Sequence, residues 1–276
     1  MVFSPRRHST LPGKNINLIF SIAYLSLLVL FPLGFLILSI QHVTFEDAYA
    51  ILFSRRTLQA LRVSFTTSIA AALIDLFIGI IIAWVLVKYR FFGKRFFDSI
   101  VDLPFAMPTA VSGIALATIY SDKGWIGSLL EAVNIKVSYT PVGILIALVF
   151  VGLPFVVRSI QPAVEALDLE MEEAAASLGA SRIAIVRRVI FPQLLPSIIT
   201  GFTMSLARGL GEYGSVIFIA GNIPFVSEIL PLLIVIELEE FNYDAASVLA
   251  VAMLSLSFIL LVTLGFLGSV IRRRYR

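Results

Sequence analysis

The sequence predicts an all-α integral membrane protein, and three observations carry that prediction. Of 276 residues, 59% are hydrophobic and 14% are charged, against roughly 25% charged in a soluble domain. Mean hydropathy is +0.97 over the whole chain, too high for one anchor helix on a soluble body, so a single membrane domain is expected. Basic residues gather at the ends of the apolar stretches, where they hold loops on the cytoplasmic side. That placement explains the net charge of +3 without invoking nucleic acid. Cysteine is absent, which excludes disulfides, thiolate metal sites and a cysteine nucleophile. The two histidines, His8 and His42, lie outside the apolar runs, so no metal site or histidine acid–base centre is expected.

Six stretches are long enough to cross a bilayer, which takes about 20 residues at ~1.5 Å each. They cover approximately 18–40, 63–87, 100–120, 139–157, 198–220 and 245–271. Pro32, Pro104, Pro108 and Pro154 fall inside them, which a packed membrane bundle tolerates when neighbours satisfy the freed carbonyls. Lys and Arg split 15 to 5 in favour of the segments that share a side with both termini, which predicts cytoplasmic termini. Arg55 and Arg56 run against that rule. The expected division is a cytoplasmic N-terminal segment at 1–17, a membrane domain at 18–271 and a basic cytoplasmic tail at 272–276. The first apolar run of roughly 23 residues exceeds the 7–15 of a signal-peptide core, and no Ala-x-Ala site follows, so it is read as an uncleaved helix. A transit-like leader is not evident either.

The one long cytoplasmic loop, about 158–197, is patterned. Leu167, Met171, Ala174, Ala175 and Leu178 fall on one helical face, with Glu165, Asp168, Glu172 and Glu173 mostly off it. Gly179 supplies a helix stop in the left-handed conformation, and Ser181 is placed to cap a second short helix. Ile183, Val186 and Ile190 give that helix an apolar face, Arg182, Arg187 and Arg188 a basic one, and Pro192 is expected to end it. The pattern specifies two amphipathic helices joined at a glycine. The inner leaflet would suit the basic half but repel the acids between Glu165 and Glu173. Docking into a partner protein accounts for both halves.

The run Glu172-Glu173-Ala174-Ala175-Ala176-Ser177-Leu178-Gly179, followed by Val189-Ile190-Phe191-Pro192, resembles the EAA loop of bacterial ATP-binding-cassette (ABC) importer permeases. That pattern is Glu-Ala-Ala, three residues, Gly, nine residues and Ile-x-Leu-Pro. Val189 and Phe191 stand where Ile and Leu are usual. The resemblance implies a six-helix permease of the type I importer fold with a cytoplasmic EAA coupling helix pair. In it Glu172, Glu173, Ala174, Ala175, Leu178, Gly179 and Pro192 would couple to an ATPase. The runs from Asp102 to Val111 and from Gly211 to Gly214 resemble the sulfate, thiosulfate and molybdate permease group, and the run from Val216 to Asn222 resembles T subunits of sulfate permeases. The group implies these partners: a second, W-type permease subunit, a cytoplasmic dimer of the ABC ATPase, and an external sulfate-binding protein. Sulfate or thiosulfate would be carried across the bacterial inner membrane. Molybdate or tungstate is the competing cargo, and a plastid membrane the competing location. ATP and Mg²⁺ would sit on the ATPase, with no cofactor in this chain.

The residues agree that chemistry lies elsewhere. The chain has no Gly-x-x-x-x-Gly-Lys-Ser/Thr phosphate loop, and no catalytic residue is expected. ATP-driven closure of a partner would move the EAA loop and rock the helices as rigid bodies. Within the membrane, Arg208 and Glu212 sit four apart on the fifth stretch, hence on one face, with Ser205, Gly211 and Ser215 on the same side. Asp75 in the second stretch is a candidate partner for Arg208. Two readings of this stripe stand: an ion pair that locks packing, or a pathway lining in which Arg208 lowers the barrier for a dianion. Glu212 opposes a strong anion site, although a channel needs weak binding. The apolar run 229–236 is too short to span and is expected as a re-entrant, interfacial or surface helix near the outer mouth; 45–53 is expected as a short outer helix. A stand-alone ion-coupled carrier is the competing class, but its usual paired halves are not visible. A membrane-embedded enzyme finds no clustered carboxylate pair.

Overall fold

In hydrocarbon every backbone N–H and C=O needs an internal partner, so the apolar stretches are forced into helices. The computed structural model describes residues 14–274, with side chains over 16–270. The expected N-terminal segment up to residue 13 and the last two residues of the tail lie outside them. In chain order, α1 (Lys14–Leu25) and α2 (Phe31–Ser39) are joined by a π-helical turn, Ser26–Leu30. Then come the short α3 (Phe45–Leu52) and the long α4 (Arg55–Lys88). Each is started by a hydroxyl that accepts a backbone N–H: Thr44 from Asp47 and Ser54 from Thr57. Three pieces follow, α5 (Lys94–Val101), α6 (Leu103–Ala106) and α7 (Thr109–Tyr120), then α8 (Gly127–Glu131) and α9 (Pro141–Glu165). The loop helix α10 (Leu169–Ser177) leads to α11 (Arg182–Ile185), a second π-helical turn (Val186–Ile190) and α12 (Phe191–Leu210). The chain closes with α13 (Val216–Ala220), α14 (Leu230–Glu239) and α15 (Tyr243–Arg274).

The core is a three-helix contact of α4, α9 and α12. Small residues let their backbones approach, as in membrane packing generally. A Cβ on Gly152 of α9 would collide with the carboxylate of Asp75 on α4 and the hydroxyl of Ser205 on α12. Around this point Ala83, Val156, Ile160, Leu194 and Ile198 are buried together on the half of the bundle that carries the 158–197 loop. Ala71, Ile144, Leu148, Val216 and Ile219 are buried together on the other half. α15 packs on α12 and α14, while the first span leaves its side chains exposed at the periphery.

Among the described residues, five helical segments are long and apolar enough to cross a membrane: Ile16–His42, Arg55–Lys88, Pro141–Glu165, Arg182–Leu210 and Tyr243–Val270. Two expected spans are corrected. The stretch 100–120 is not one helix: Pro108 pushes Met107 into extended backbone, and α7 starts afresh at Thr109. The stretch 198–220 is displaced, since its helix begins at Arg182, ends at Leu210 and resumes as the separate α13. The expected loop 158–197 shrinks accordingly, because α9 runs on to Glu165.

Pro192 does not end a helix, contrary to expectation. The turn before it widens, with the Phe191 N–H bonding to the Val186 carbonyl five residues back. That widening relieves the clash of the proline ring with the preceding turn and absorbs its missing N–H. The same device recurs at Phe31-Pro32, where the Phe31 N–H bonds to the Ser26 carbonyl. The run 229–236 forms the cap and first turns of α14, whose Leu230, Leu232 and Leu233 are fully buried. The Leu230 N–H donates to Ser64 Oγ of α4 at 2.7 Å, so α14 is packed into the bundle rather than resting on its surface.

Candidate functional site

The loop helix α10 is defined at both ends by local chemistry. Asp168 caps its start, accepting the Glu170 N–H at 3.0 Å. Its end is a Schellman motif: the Ala180 N–H bonds to the Ala175 carbonyl and the Gly179 N–H to the Ala176 carbonyl. Gly179 has φ of +81°, as its role in the turn requires. Ser181 then caps α11 through the Ala184 N–H. Leu167, expected on the helix face, instead precedes α10 and is buried, whereas Leu178, at the turn, is 89% exposed. Ile183 is 80% exposed. Leu178 lies outside the segments long and apolar enough to span, and Ile183 at the very start of one; large apolar side chains exposed in this way are what a docking surface presents.

The same loop is tethered to the bundle. Lys88, the last residue of α4, stands over the Trp84 ring and reaches Glu172 Oε1 at 3.5 Å. The two adjacent glutamates therefore differ: Glu172 faces the bundle, and Glu173 is exposed. Ala174 and Ala175 lie between them and the turn. Pro192, on the far side, sits where the π-helical turn meets α12.

Within the membrane-spanning core, the expected polar stripe divides in two. Arg208 Nη2 donates to Glu212 Oε2 at 2.6 Å, with the arginine 32% exposed and the glutamate 1%. The other carboxylate oxygen accepts the backbone N–H of Ser215 at 2.9 Å and its hydroxyl at 2.8 Å. Glu212 thus folds the segment after α12 into a fixed turn. Gly211 and Ser215 belong to that turn and not to the helix. Asp75 is not the partner of Arg208: it is fully buried and accepts the Ser205 hydroxyl at 2.6 Å. Ser205 faces the α4–α9 contact, so Asp75 and Ser205 form a separate packing cluster.

The two helix interruptions meet. A Cβ on Gly214 would collide with Thr109, and one on Gly113 would sit 2.6 Å from the Ser215 carbonyl oxygen. The broken third stretch and the break after α12 therefore touch beside Arg208 and Glu212. Irregular backbone within a membrane domain is tolerated where it is buried in protein or lines a water-filled cavity.

Two ion-pair hubs were not read from the sequence. Arg158 on α9 binds Asp102 with both prongs, Nε to Oδ1 at 2.8 Å and Nη2 to Oδ2 at 2.6 Å. It also reaches Asp98 Oδ1 at 2.7 Å. Arg158 thereby fixes the N-terminal end of the broken third stretch. At the opposite end of the bundle, Arg56 holds the buried Glu228 at 2.7 Å, which anchors the segment before α14 and gives this arginine a structural role. The signal was available: Asp98 and Asp102 lie one helical turn apart, at the same edge of the apolar region as Arg158.

Comparison with known proteins agrees with this architecture. The profile of the family described as "Binding-protein-dependent transport system inner membrane component" matches residues 75–276. The chain is 39% identical over 274 residues to "Sulfate transport system permease protein CysT" of Salmonella typhimurium, covering 99% of this chain and 98% of that one. It is 45% identical over 249 residues to "Probable sulfate transport system permease protein cysT" of Chlorokybus atmophyticus, covering 90% and 87%. Among solved structures, a bacterial alginate ABC transporter in complex with an alginate-pentasaccharide-bound periplasmic protein matches with a TM-score of 0.75 at 17% identity, over 95% of this chain and 94% of that one. With a capped, exposed loop helix tethered to a core of long spans, and with these relatives, the chain belongs to the family of binding-protein-dependent transport system inner membrane components, among its CysT-type permeases.

Proposed function

We infer that this chain is one membrane-spanning permease subunit of an ATP-driven sulfate importer. The observation that carries the coupling mechanism is α10: a helix with an apolar, acidic outward surface, fixed to α4 by Glu172 and joined through a π-helical turn to α12. A push on Leu178 and Glu173 would pass to two of the three core helices. A dimeric ABC ATPase binding ATP and Mg²⁺ would supply the push, a second permease subunit of the W type would complete the channel, and an external binding protein would deliver sulfate or thiosulfate. The sulfate-permease names of the relatives support the cargo. The segment 94–120 would cross as an interrupted helix, giving six crossings and cytoplasmic termini in a bacterial inner membrane.

The meeting of the two interruptions supports a pathway beside Arg208. A partly exposed guanidinium, with the start of α7 close to the Glu212 turn, favours an anion through charge and unpaired helix N–H groups. Glu212 neutralises much of that attraction, which suits an ion that must leave again.

The test is reconstitution of the complete complex in proteoliposomes with binding protein. Labelled sulfate should accumulate only with ATP, and excess molybdate should compete weakly. Uptake by this chain alone, driven by an ion gradient, would replace the importer reading with the carrier reading.

A further inference from the structure

The basic half of the coupling loop finds no counter-charge among the described residues. Arg182, Arg187 and Arg188, with Arg90, Lys94 and Arg95 of the preceding inner loop, form no salt bridge among the described residues. Arg187 and Arg188, together with Ser181, line an open recess of about 490 Å³.

Immediately beside Arg187 in the chain, Val186 begins a groove of about 320 Å³ between α4 and α12. Trp84, Val85 and Tyr89 form one wall and Val186, Ile190 and Leu194 the other. Every residue lining it is apolar or aromatic. The groove runs from Val186 to Ile198, twelve residues or ~18 Å of helix at ~1.5 Å each. A single leaflet's hydrocarbon is about 15 Å deep, half of a ~30 Å core. An apolar slot of one-leaflet length with two unpaired arginines at its cytoplasmic mouth has the chemistry of a two-part ligand, a hydrocarbon chain ending in an anion.

We propose that groove and recess together bind one anionic phospholipid of the inner leaflet, an acyl chain lying between α4 and α12 and the phosphate on Arg187 and Arg188. The charge pattern selects this occupant over the ATPase and over another permease helix. The acidic face of α10 is repelled by an anionic leaflet and is the half left for a protein, while the arginine half is attracted to it. The lipid would touch Trp84, beside the Lys88–Glu172 tether, and the π-helical turn, which are the two attachments of the loop to the bundle. The proposal rests on the cytoplasmic placement of this loop given above.

The experiment places the photo-cross-linker p-benzoylphenylalanine at Tyr89 in the assembled importer, held in nanodiscs of equal parts phosphatidylglycerol and phosphatidylcholine, and identifies the adduct by mass spectrometry. The expected adduct is phospholipid, with phosphatidylglycerol several-fold in excess, and with that excess lost in the double variant Arg187→Gln/Arg188→Gln. A peptide adduct from the second permease or the ATPase overturns the proposal. Equal labelling by the two lipids overturns it as well, as does a preference that survives loss of both arginines. Retention of the ATPase on the same nanodiscs is scored separately, so failure of the docking reading is told apart from failure of the lipid site.

Discussion

At the scale of single residues, the ion pair of Arg208 and Glu212 sets the sharpest expectations. Removing one partner of a buried pair leaves an uncompensated charge, and Glu212 is almost wholly enclosed. Arg208→Gln alone should therefore lower the amount of assembled complex, measured by size exclusion. The double variant Arg208→Gln/Glu212→Gln keeps hydrogen bonding without charge and should restore it. If Arg208 eases passage of a dianion, sulfate uptake per restored complex should still fall about tenfold, equivalent to ~1.4 kcal/mol in barrier; undiminished uptake would reduce the pair to a packing lock. Gly179 makes a different kind of prediction. No atom lies within 4 Å of a Cβ built there, so substitution costs backbone strain alone, about 1–2 kcal/mol for a residue forced left-handed. Gly179→Val should leave the membrane bundle folded yet weaken ATPase retention and uptake together. Gly179→Asn, which accepts that conformation better, should keep most of both.

At the scale of elements, the α4–α9–α12 contact depends on close approach. Gly152→Ala drives a methyl group into Asp75 and Ser205, an overpacking expected to cost about 1–3 kcal/mol and visible as a lowered melting temperature of the purified complex. An unchanged melting temperature would mean that the helices are more loosely packed than described. How legible the elements were follows from their physics. α4, α9 and α15 announce themselves because twenty or more apolar residues in lipid have no alternative to a helix. The loop helix was equally readable, since Gly179 and Ser181 act through local backbone geometry. Pro192 misled because a proline next to a widened turn does not break a helix, and nothing in the local pattern reports the widening. The third stretch misled because hydropathy counts apolar residues and ignores Pro104 and Pro108. The arginine stripe was half right: Arg208 and Glu212 do pair, although Glu212 lies past the end of α12, but Asp75 went to Ser205, a choice made by tertiary contact alone.

At the scale of the whole molecule, the chain is a three-helix body with handles at its ends. Arg56–Glu228 ties the segment before α14, Arg158 ties the start of the broken stretch, and Lys88–Glu172 ties the loop helix. A body tied in this way would move as a unit, and force at α10 would then be felt where the two interruptions meet. Arg158→Met should release Asp98 and Asp102, and sulfate uptake should fall more than ATPase binding does; an equal loss of both would make the hub merely structural. The chain has no cysteine, which permits one decisive probe. In the assembled importer, Leu178→Cys paired with single cysteines across the membrane-facing surface of the ATPase should form a disulfide at high yield, with a yield that changes on adding ATP. A thiol at Leu178 that links to no ATPase position, and reacts instead with a membrane-impermeant reagent from outside the cell, would contradict the account.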